Sequence, residues 1–335
     1  MKLFLDEMNE LCDFHFNNCE EYRLIVNRLF RGFNVAKNLE ELPFIPVSVF
    51  KELDLMSVPR QEVFKTLSSS GTSGTHSRIF LDRQNSLNQT LALKELFQEQ
   101  FGQARLPMII FDSQEQLRSS ASASARKAAV IGFSAFASKR FFALGADSEI
   151  DWNKLEENLA TNSNGKVVMF GFTFMLWTHL VINNRGNRTF NLPGGVILHG
   201  GGWKKLEGLG ISKSDFKAEM KRITGASRII DYYGMAEQAG SIFFECESGF
   251  FHESKFSSVI TRDPYSLMPL EAGKTGLVQV ISKLPTSYPG HSILTQDLGV
   301  LHGINDCSCK RPGRYFSIEG RMPNSQVRGC SDVGI

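Results

Sequence analysis

Short apolar runs, separated by stretches with helical patterns, occupy the middle of the chain and constrain its fold most strongly. These runs cover residues 107–111, 128–132, 166–170, 195–199 and 227–231. Strands that are apolar throughout are buried on both faces, and helices between them place them in a mainly parallel sheet. The pattern therefore predicts an α/β fold with mainly parallel sheets flanked by helices. Beyond about residue 250, strand patterns punctuated by glycine indicate a β-rich closing subdomain.

The first 41 residues follow a different pattern, with apolar side chains at helical spacing. Pro43 and Pro46 then break the pattern, since proline lacks a backbone donor and restricts the residue before it. Another helix is predicted over residues 82–101.

Composition excludes several classes of protein. The chain has 335 residues, of which 42% are hydrophobic, enough to build the core of one large domain or two. A net charge of +2 gives no electrostatic case for a nucleic-acid partner. No apolar run is long enough to span a membrane, the N-terminus turns acidic at once, and the six cysteines are unevenly spaced. We expect a cytoplasmic protein with reduced thiols.

A loop rich in hydroxyl groups and glycine lies between residues 64–67 and 78–82. Glycine permits positive φ and close approach of N–H groups to a ligand, and the hydroxyls add small donors. Such a loop is either a phosphate nest or a solvated linker. The candidate phosphate-binding residues are Ser69, Ser70, Gly71, Thr72, Ser73, Gly74 and Thr75.

Polar clusters follow three of the predicted strands, where open α/β sheets bind ligands. Glycines in the first cluster let the backbone lie flat against a purine base. A carboxylate in the second suits Mg²⁺, and one in the third suits the ribose hydroxyls. Each cluster alone is also compatible with an ordinary turn, but together they predict a nucleotide site. The residues are Gly200, Gly201 and Gly202, then Tyr233, Gly234 and Glu237, then Asp297.

The order of these motifs resembles that of the adenylate-forming superfamily, and more narrowly that of acyl-protein synthetases of the LuxE type, related to phenylacetate–CoA ligases. Residues 68–75 match the phosphate loop, and residues 233–237 match a Tyr-Gly-x-x-Glu motif. Thr-Gln-Asp at 295–297 stands where the family has Thr-Gly-Asp. Gly320-Arg321, leading to residues 327–330, resembles a hinge motif.

The resemblance implies the large domain of an adenylate-forming enzyme, with a C-terminal small domain absent or very short. We expect an N-terminal helical segment over residues 1–42, a catalytic domain over 43–319 and a hinge-like tail over 320–335. The implied reaction uses ATP and Mg²⁺ to convert a carboxylic acid, fatty or otherwise, to an acyl-adenylate. The acyl group then passes to a thiol of the protein itself, of an acyl carrier protein or other acyl-accepting protein, or of CoA.

The resemblance also assigns roles to single residues. Glu237 holds Mg²⁺, Tyr233 stacks near the adenine, and Asp297 binds the ribose. Cys330 fits the acylated cysteine by position. The cation that contacts the reacting carboxylate has several candidates, of which Arg321 is one; the others are Lys204, Lys205 and Arg328.

Two alternatives stay open from the sequence. The first is a non-catalytic member of the same family that only binds nucleotide or an acyl carrier. The second concerns Cys307 and Cys309, which are able to begin a zinc site. Because no second pair of ligands lies nearby in the sequence, a tight turn is favoured there.

Overall fold

The structure is a computed structural model that describes residues 3–68, 76–103, 105–119, 125–162, 165–184, 186–192, 194–202 and 209–322. Its α-helices are α1 (Phe4–Asn18), α2 (Glu20–Phe30), α3 (Val49–Glu52), α4 (Arg83–Phe101), α5 (Gln114–Ser119), α6 (Ala125–Ser134), α7 (Trp152–Thr161), α8 (Thr173–Trp177) and α9 (Lys213–Thr224). Its strands are β1 (Ile45–Pro46), β2 (Lys65–Ser68), β3 (Arg78–Leu81), β4 (Leu106–Ser113), β5 (Ala137–Leu144), β6 (Val168–Phe172), β7 (Val196–Gly200), β8 (Arg228–Tyr233), β9 (Phe243–Phe244), β10 (Phe251–His252), β11 (Ser257–Arg262), β12 (Thr275–Ser282), β13 (Ser292–Ile304) and β14 (Arg314–Arg321).

The chain divides into two compact units. The antiparallel-sheet unit comprises Met1–Leu96 and Gly234–Gln326, and the parallel-sheet unit comprises Phe97–Tyr233 and Val327–Ile335. This division by compactness differs from the boundaries expected at residues 42 and 319, which stay predictions.

The parallel-sheet unit contains strands in the order β5-β4-β6-β7-β8, and the described pairs between them are parallel. One row of apolar side chains crosses this sheet through Ile109, Met169, Ile197 and Ile229, which are register partners from strand to strand. The first three of these are fully buried. A row buried in this way accounts for the continuous apolar runs in the sequence and confirms the predicted parallel sheet.

One predicted strand of this unit is wrong. Residues 128–132 belong to helix α6, in which Val130 and Phe133 are buried while Ile131 is 54% exposed. One-sided burial is the property of an amphipathic helix, and a short apolar run does not distinguish it from a strand. The strand in this part of the chain is instead β5, whose residues 138–140 are exposed, so no apolar run marks it.

The antiparallel-sheet unit contains strands in the order β10-β14-β13-β12-β11, paired antiparallel, with β1 added parallel to β13. It confirms the predicted β-rich region after residue 250. A second, small sheet in this unit is the hairpin of β2 and β3.

Helices α1 and α2 confirm the predicted helical start of the chain. Met8 and Cys12 of α1 share a buried cluster with Ile260 and Ile281 of the antiparallel sheet. The N-terminal helices are therefore part of the core of this unit. Within the described ranges, no helix combines the length and the apolar character needed to cross a membrane.

Candidate functional site

The predicted phosphate loop joins two strands that pair as an antiparallel hairpin. Lys65 faces Leu81 and Ser68 faces Arg78 across β2 and β3, so the hairpin is in register up to the loop. The predicted phosphate-binding residues 69–75 lie outside the described residues, and their role stays a prediction.

Gly200 ends strand β7, the first of the three strand ends predicted to carry ligand-binding residues. A Cβ at this position would lie 2.5 Å from the ring of Tyr232, the residue opposite it on β8. Gly201 has φ of 79°, which disfavours other residues, and Gly201 and Gly202 are both exposed. The glycines therefore keep a side-chain-free, exposed backbone at the end of the sheet, and packing against Tyr232 explains the first of them.

His199 precedes these glycines and is buried beside Thr173 and Asp231. Its Nδ1 lies 2.9 Å from the Thr173 hydroxyl and 3.8 Å from a carboxylate oxygen of Asp231. Burial, together with the nearby charges of Lys217 and Lys213, lowers the pKa of His199 to about 3. The imidazole is therefore neutral at physiological pH and acts as a hydrogen-bonding group at the strand end, with no positive charge to offer.

Glu237 lies in a short 3-10 helix, Ala236–Gln238, whose backbone is fixed by a distant loop. The hydroxyl of Tyr288, a fully buried side chain, donates to the backbone carbonyl of Glu237 at 2.9 Å. The side chain of Gln238 donates to the carbonyls of Gly290, at 2.9 Å, and Val280, at 3.2 Å. The burial of Tyr288 raises its pKa, and so does the negative charge of Glu237, so this hydroxyl stays a donor.

The carboxylate of Glu237 is buried, since the residue is only 5% exposed. Within the described part of the chain, no side chain forms an ion pair or hydrogen bond with it. A buried carboxylate is costly unless a cation or donor compensates its charge. Mg²⁺ takes one or two protein carboxylates and fills its remaining positions with phosphate oxygens and water, so the residue fits this ion.

Asp297 and Arg321 lie side by side at the end of the antiparallel sheet. They are register partners on β13 and β14, and Nε of Arg321 donates to Oδ1 of Asp297 at 3.1 Å. Thr295 anchors the turn of the Thr-Gln-Asp motif, because its hydroxyl donates to the carbonyl of Val278 at 2.7 Å and accepts from the backbone N–H of Asp297 at 3.1 Å. The structure thus brings together the predicted ribose ligand and the predicted hinge arginine.

The predicted nucleophile, Cys330, lies outside the described residues, as do Lys204, Lys205 and Arg328. Among the described cysteines, Cys12 and Cys19 are buried on the N-terminal helices. Burial raises the pKa of Cys12 to about 12 and that of Cys19 to about 11. Thiols of this kind are poor nucleophiles, because the thiolate is the reactive form.

Cys307 and Cys309 form the predicted tight turn, closed by a 2.9 Å hydrogen bond from the backbone N–H of Lys310 to the carbonyl of Cys307. The turn also lies against Cys246 and His252, residues from an earlier turn and from strand β10. The sequence predicted no partner for these two thiols because the other residues are distant along the chain.

Several residues of the site escaped sequence reasoning. Tyr288 and Gly290 contact the turn that holds Glu237, Gly290 through the side chain of Gln238, and Thr173 contacts His199. They belong to no motif, and only the Pro-Gly pair at 289–290 marks a tight turn there. The structure describes Gly200 and Tyr233 in one unit and Glu237, Asp297 and Arg321 in the other.

Comparisons with known proteins give a family for this arrangement. The family model of the acyl-protein synthetase LuxE matches residues 2–334. A long-chain-fatty-acid–luciferin-component ligase of Vibrio harveyi is 26% identical over 332 residues, which cover 95% of this chain and 83% of that protein. The enzyme of the same name from Aliivibrio fischeri is also 26% identical, over 95% of this chain and 84% of its own.

Solved structures agree on the fold. The open conformation of 2-hydroxyisobutyryl-CoA ligase, in complex with 2-HIB-AMP and CoA, superposes with a TM-score of 0.73 at 16% identity. The match covers 96% of this chain and 74% of that chain. This likeness confirms the predicted adenylate-forming fold. With the family model matched along almost its whole length, the chain belongs to the LuxE family of acyl-protein synthetases and is an ATP-dependent ligase that activates an acyl group for transfer to a thiol.

Proposed function

We propose that this ligase activates a long-chain fatty acid with ATP and Mg²⁺ and passes the acyl group to its own Cys330. The ion pair of Asp297 and Arg321 carries the proposal, because it joins side chains from two separate family motifs on neighbouring strands. The choice of a long-chain acid follows from the two relatives named as long-chain-fatty-acid ligases. We propose the remaining nucleotide ligands from the motifs of the sequence.

The first step is nucleotidyl transfer. A carboxylate oxygen of the acid attacks the α-phosphorus of ATP, the bond to the bridging oxygen breaks, and pyrophosphate leaves. Positioning and charge stabilisation do most of the work in such transfers. Asp297 would accept hydrogen bonds from the ribose hydroxyls, while Arg321 holds its carboxylate in place from the neighbouring strand.

Glu237 would hold Mg²⁺, which supplies positive charge to the phosphate oxygens when bound. The buried carboxylate and the fixed backbone of its turn support this role. The hydroxyls of Thr72 and Ser73, in the loop between β2 and β3, would contact the β- and γ-phosphates. Gly201 and Gly202, which follow strand β7, would leave exposed backbone for the adenine, and Tyr233 ends the neighbouring strand β8.

The second step is thioester formation. The thiolate of Cys330 attacks the acyl carbon, AMP leaves, and the thiol proton is released to solvent. The burial of Cys12 and Cys19, and their raised pKa values, make these two thiols unsuitable for the same attack. An acyl carrier protein or CoA is the alternative acceptor, and an acceptor screen would identify it.

Two substitutions test the first step. Glu237→Gln should lower acid-dependent ATP–pyrophosphate exchange about 100-fold, since it removes charge at the metal site. Asp297→Asn should mainly raise the KM for ATP, because it weakens ribose binding. Asp263→Asn changes a carboxylate in an exposed turn and serves as the control. Exchange at the wild-type rate in Glu237→Gln would refute the role of this carboxylate.

Trapping the acyl-enzyme tests the second step. Wild-type protein given ATP, Mg²⁺ and labelled fatty acid should retain label that hydroxylamine removes. Cys330→Ala should lose the label and keep pyrophosphate exchange, whereas Cys19→Ala should keep both. Undiminished labelling of Cys330→Ala would exclude this cysteine as the acceptor.

A further inference from the structure

Four potential metal ligands meet in the antiparallel-sheet unit, away from every motif used above. They are Cys246, His252, Cys307 and Cys309, and their ligand atoms all lie within 4.8 Å of one another. Cys246, His252 and Cys307 are buried, and Cys309 is partly buried. Three thiols and one imidazole are a common ligand set of structural zinc sites.

The distances fit a tetrahedral ion. Bonds of about 2.3 Å from zinc to sulfur and about 2.0 Å to nitrogen separate two sulfurs by about 3.8 Å, and a sulfur and a nitrogen by about 3.5 Å. Sγ of Cys246 lies 3.9 Å from Sγ of Cys307, and Sγ of Cys309 lies 3.3 Å from Nε2 of His252. The separation of the two sulfurs is also far too long for a disulfide, whose S–S bond is about 2.05 Å.

The backbone around the four residues has the tight turns that bring ligands together. The backbone N–H of Gly249 donates to the carbonyl of Cys246 at 2.9 Å, and that of Lys310 donates to Cys307 at 2.9 Å. The hydroxyls of Ser248 and Ser308, one from each turn, are 2.7 Å apart. The two turns are therefore joined directly beside the ligands.

Surrounding groups suit a bound cation with three thiolates. The backbone N–H of Arg311 points at Sγ of Cys309 at 3.5 Å, as expected for a group that orients a metal ligand. Three thiolates and Zn²⁺ together carry one negative charge; two basic residues, Lys310 and Arg311, follow Cys309 directly in the chain, and Arg311 also pairs with Glu247 at 3.3 Å. The ring of Tyr315 stacks on His252 with centroids 5.7 Å apart and so fixes the orientation of the imidazole.

We propose that Cys246, His252, Cys307 and Cys309 bind one Zn²⁺ in a closed, tetrahedral, structural site. The three thiols lose their protons on binding, and the imidazole binds in its neutral form through Nε2. The ion would join the turn between β13 and β14 to the segment leading into β10. Because β13 carries Asp297 and β14 carries Arg321, the site would hold the frame of the nucleotide ligands without touching them.

Elemental analysis of the intact protein, purified without chelators from zinc-supplemented cells, tests the proposal. We expect about one zinc per chain, with loss of nearly all of it in Cys246→Ser and Cys307→Ser. His302→Ala is the matched control, since His302 lies on β13 and contacts Ser317 but is not in the cluster. It should keep its zinc, as should Cys19→Ser.

Cobalt substitution gives a second readout if a serine variant fails to fold. Wild-type protein refilled with Co²⁺ should show the strong visible bands of tetrahedral coordination and sulfur-to-cobalt charge transfer. His252→Cys should keep the tetrahedral bands and gain about one third in charge-transfer intensity, since four thiolates replace three. Three results would each overturn the proposal. The first is a wild-type protein that binds neither zinc nor cobalt, and the second is zinc retained in Cys246→Ser and Cys307→Ser. The third is a Cys246–Cys307 disulfide in freshly isolated protein.

Discussion

Gly200 illustrates how much a single residue in this site depends on a neighbour that the sequence does not identify. The position of the Gly-rich segment after a predicted strand indicates a candidate adenine-binding surface. The structure adds a packing reason, because the ring of Tyr232 occupies the place of a Cβ at residue 200 and stacks on Phe170, with centroids 6.3 Å apart. A substitution of Gly200 is therefore expected to disturb the packing against Tyr232 before it affects nucleotide binding.

We expect Gly200→Ala to destabilise the protein by about 1–3 kcal/mol, because the added methyl group overlaps the Tyr232 ring. Tyr232→Leu should remove most of the overlap, so the double variant should lose less stability than the two single variants together. Urea unfolding measures all three, and Gly165→Ala, where a Cβ meets nothing closer than 3.9 Å, is the control. Strict additivity of the two changes would refute the overlap.

Some site residues could be predicted from their spacing in the sequence, and others could not. Glu237 and Asp297 stand within short motifs, so the sequence alone nominates them. Tyr288 supports Glu237 from 51 residues away, and the sequence offers no signal that joins them. For the same reason the sequence does not predict the cluster of Cys246, His252, Cys307 and Cys309. These residues come together only through the turns of the antiparallel-sheet unit.

At the scale of elements, the apolar runs predicted four strands of the parallel sheet and misassigned one. The run at 128–132 is short, and length and burial rather than hydropathy separate a helix face from a strand. In α6, Arg126 also forms a bidentate ion pair with the buried Asp112 of β4, with Nε 2.8 Å from Oδ2. That contact holds the helix against the sheet and has no counterpart in the sequence pattern.

Helix α1 is docked through histidines that are buried in their neutral form. His15 lies 2.7 Å from the hydroxyl of Ser57 and 3.1 Å from the carbonyl of Pro285, and its ring stacks on His291 with centroids 4.8 Å apart. Burial lowers the pKa of His15 to about 3 and takes the pKa of His291 well below its usual value. Both rings are thus uncharged in the folded protein at neutral pH.

This docking predicts acid sensitivity. Between pH 6.5 and about 3 the unfolded chain binds protons that folded His15 does not, so stability falls as the pH falls through this window. From pH 7.5 to 5.0 the contribution of His15 to the free energy of unfolding should fall by roughly 2 kcal/mol. His15→Gln should reduce this pH dependence, as measured by urea unfolding.

Met8→Ala is the control for that experiment. It removes a fully buried side chain from the same helix and should cost about 2–5 kcal/mol. It leaves the imidazoles in place, so the change of stability with pH should stay as in the wild type. An equal loss of pH dependence in both variants would show that helix docking, and not His15, is responsible.

At the scale of the whole molecule, the order of motifs along the chain predicted the fold and the class of reaction. The family model and the solved structures confirm both. The identity of the acid was not readable, because the shape of an acyl pocket depends on side chains from many elements. The final acceptor was not readable either, since a thiol's reactivity depends on its surroundings.

Acid-dependent ATP–pyrophosphate exchange, measured with saturated fatty acids of increasing length, tests the central claim most directly. Each buried methylene contributes about 0.8 kcal/mol, so kcat/KM should rise about fourfold per added carbon until the pocket is filled. We expect exchange only when acid and Mg²⁺ are both present, with a maximum among long-chain acids. Exchange that no fatty acid raises above the rate without acid would contradict the proposed activation of fatty acids by this protein.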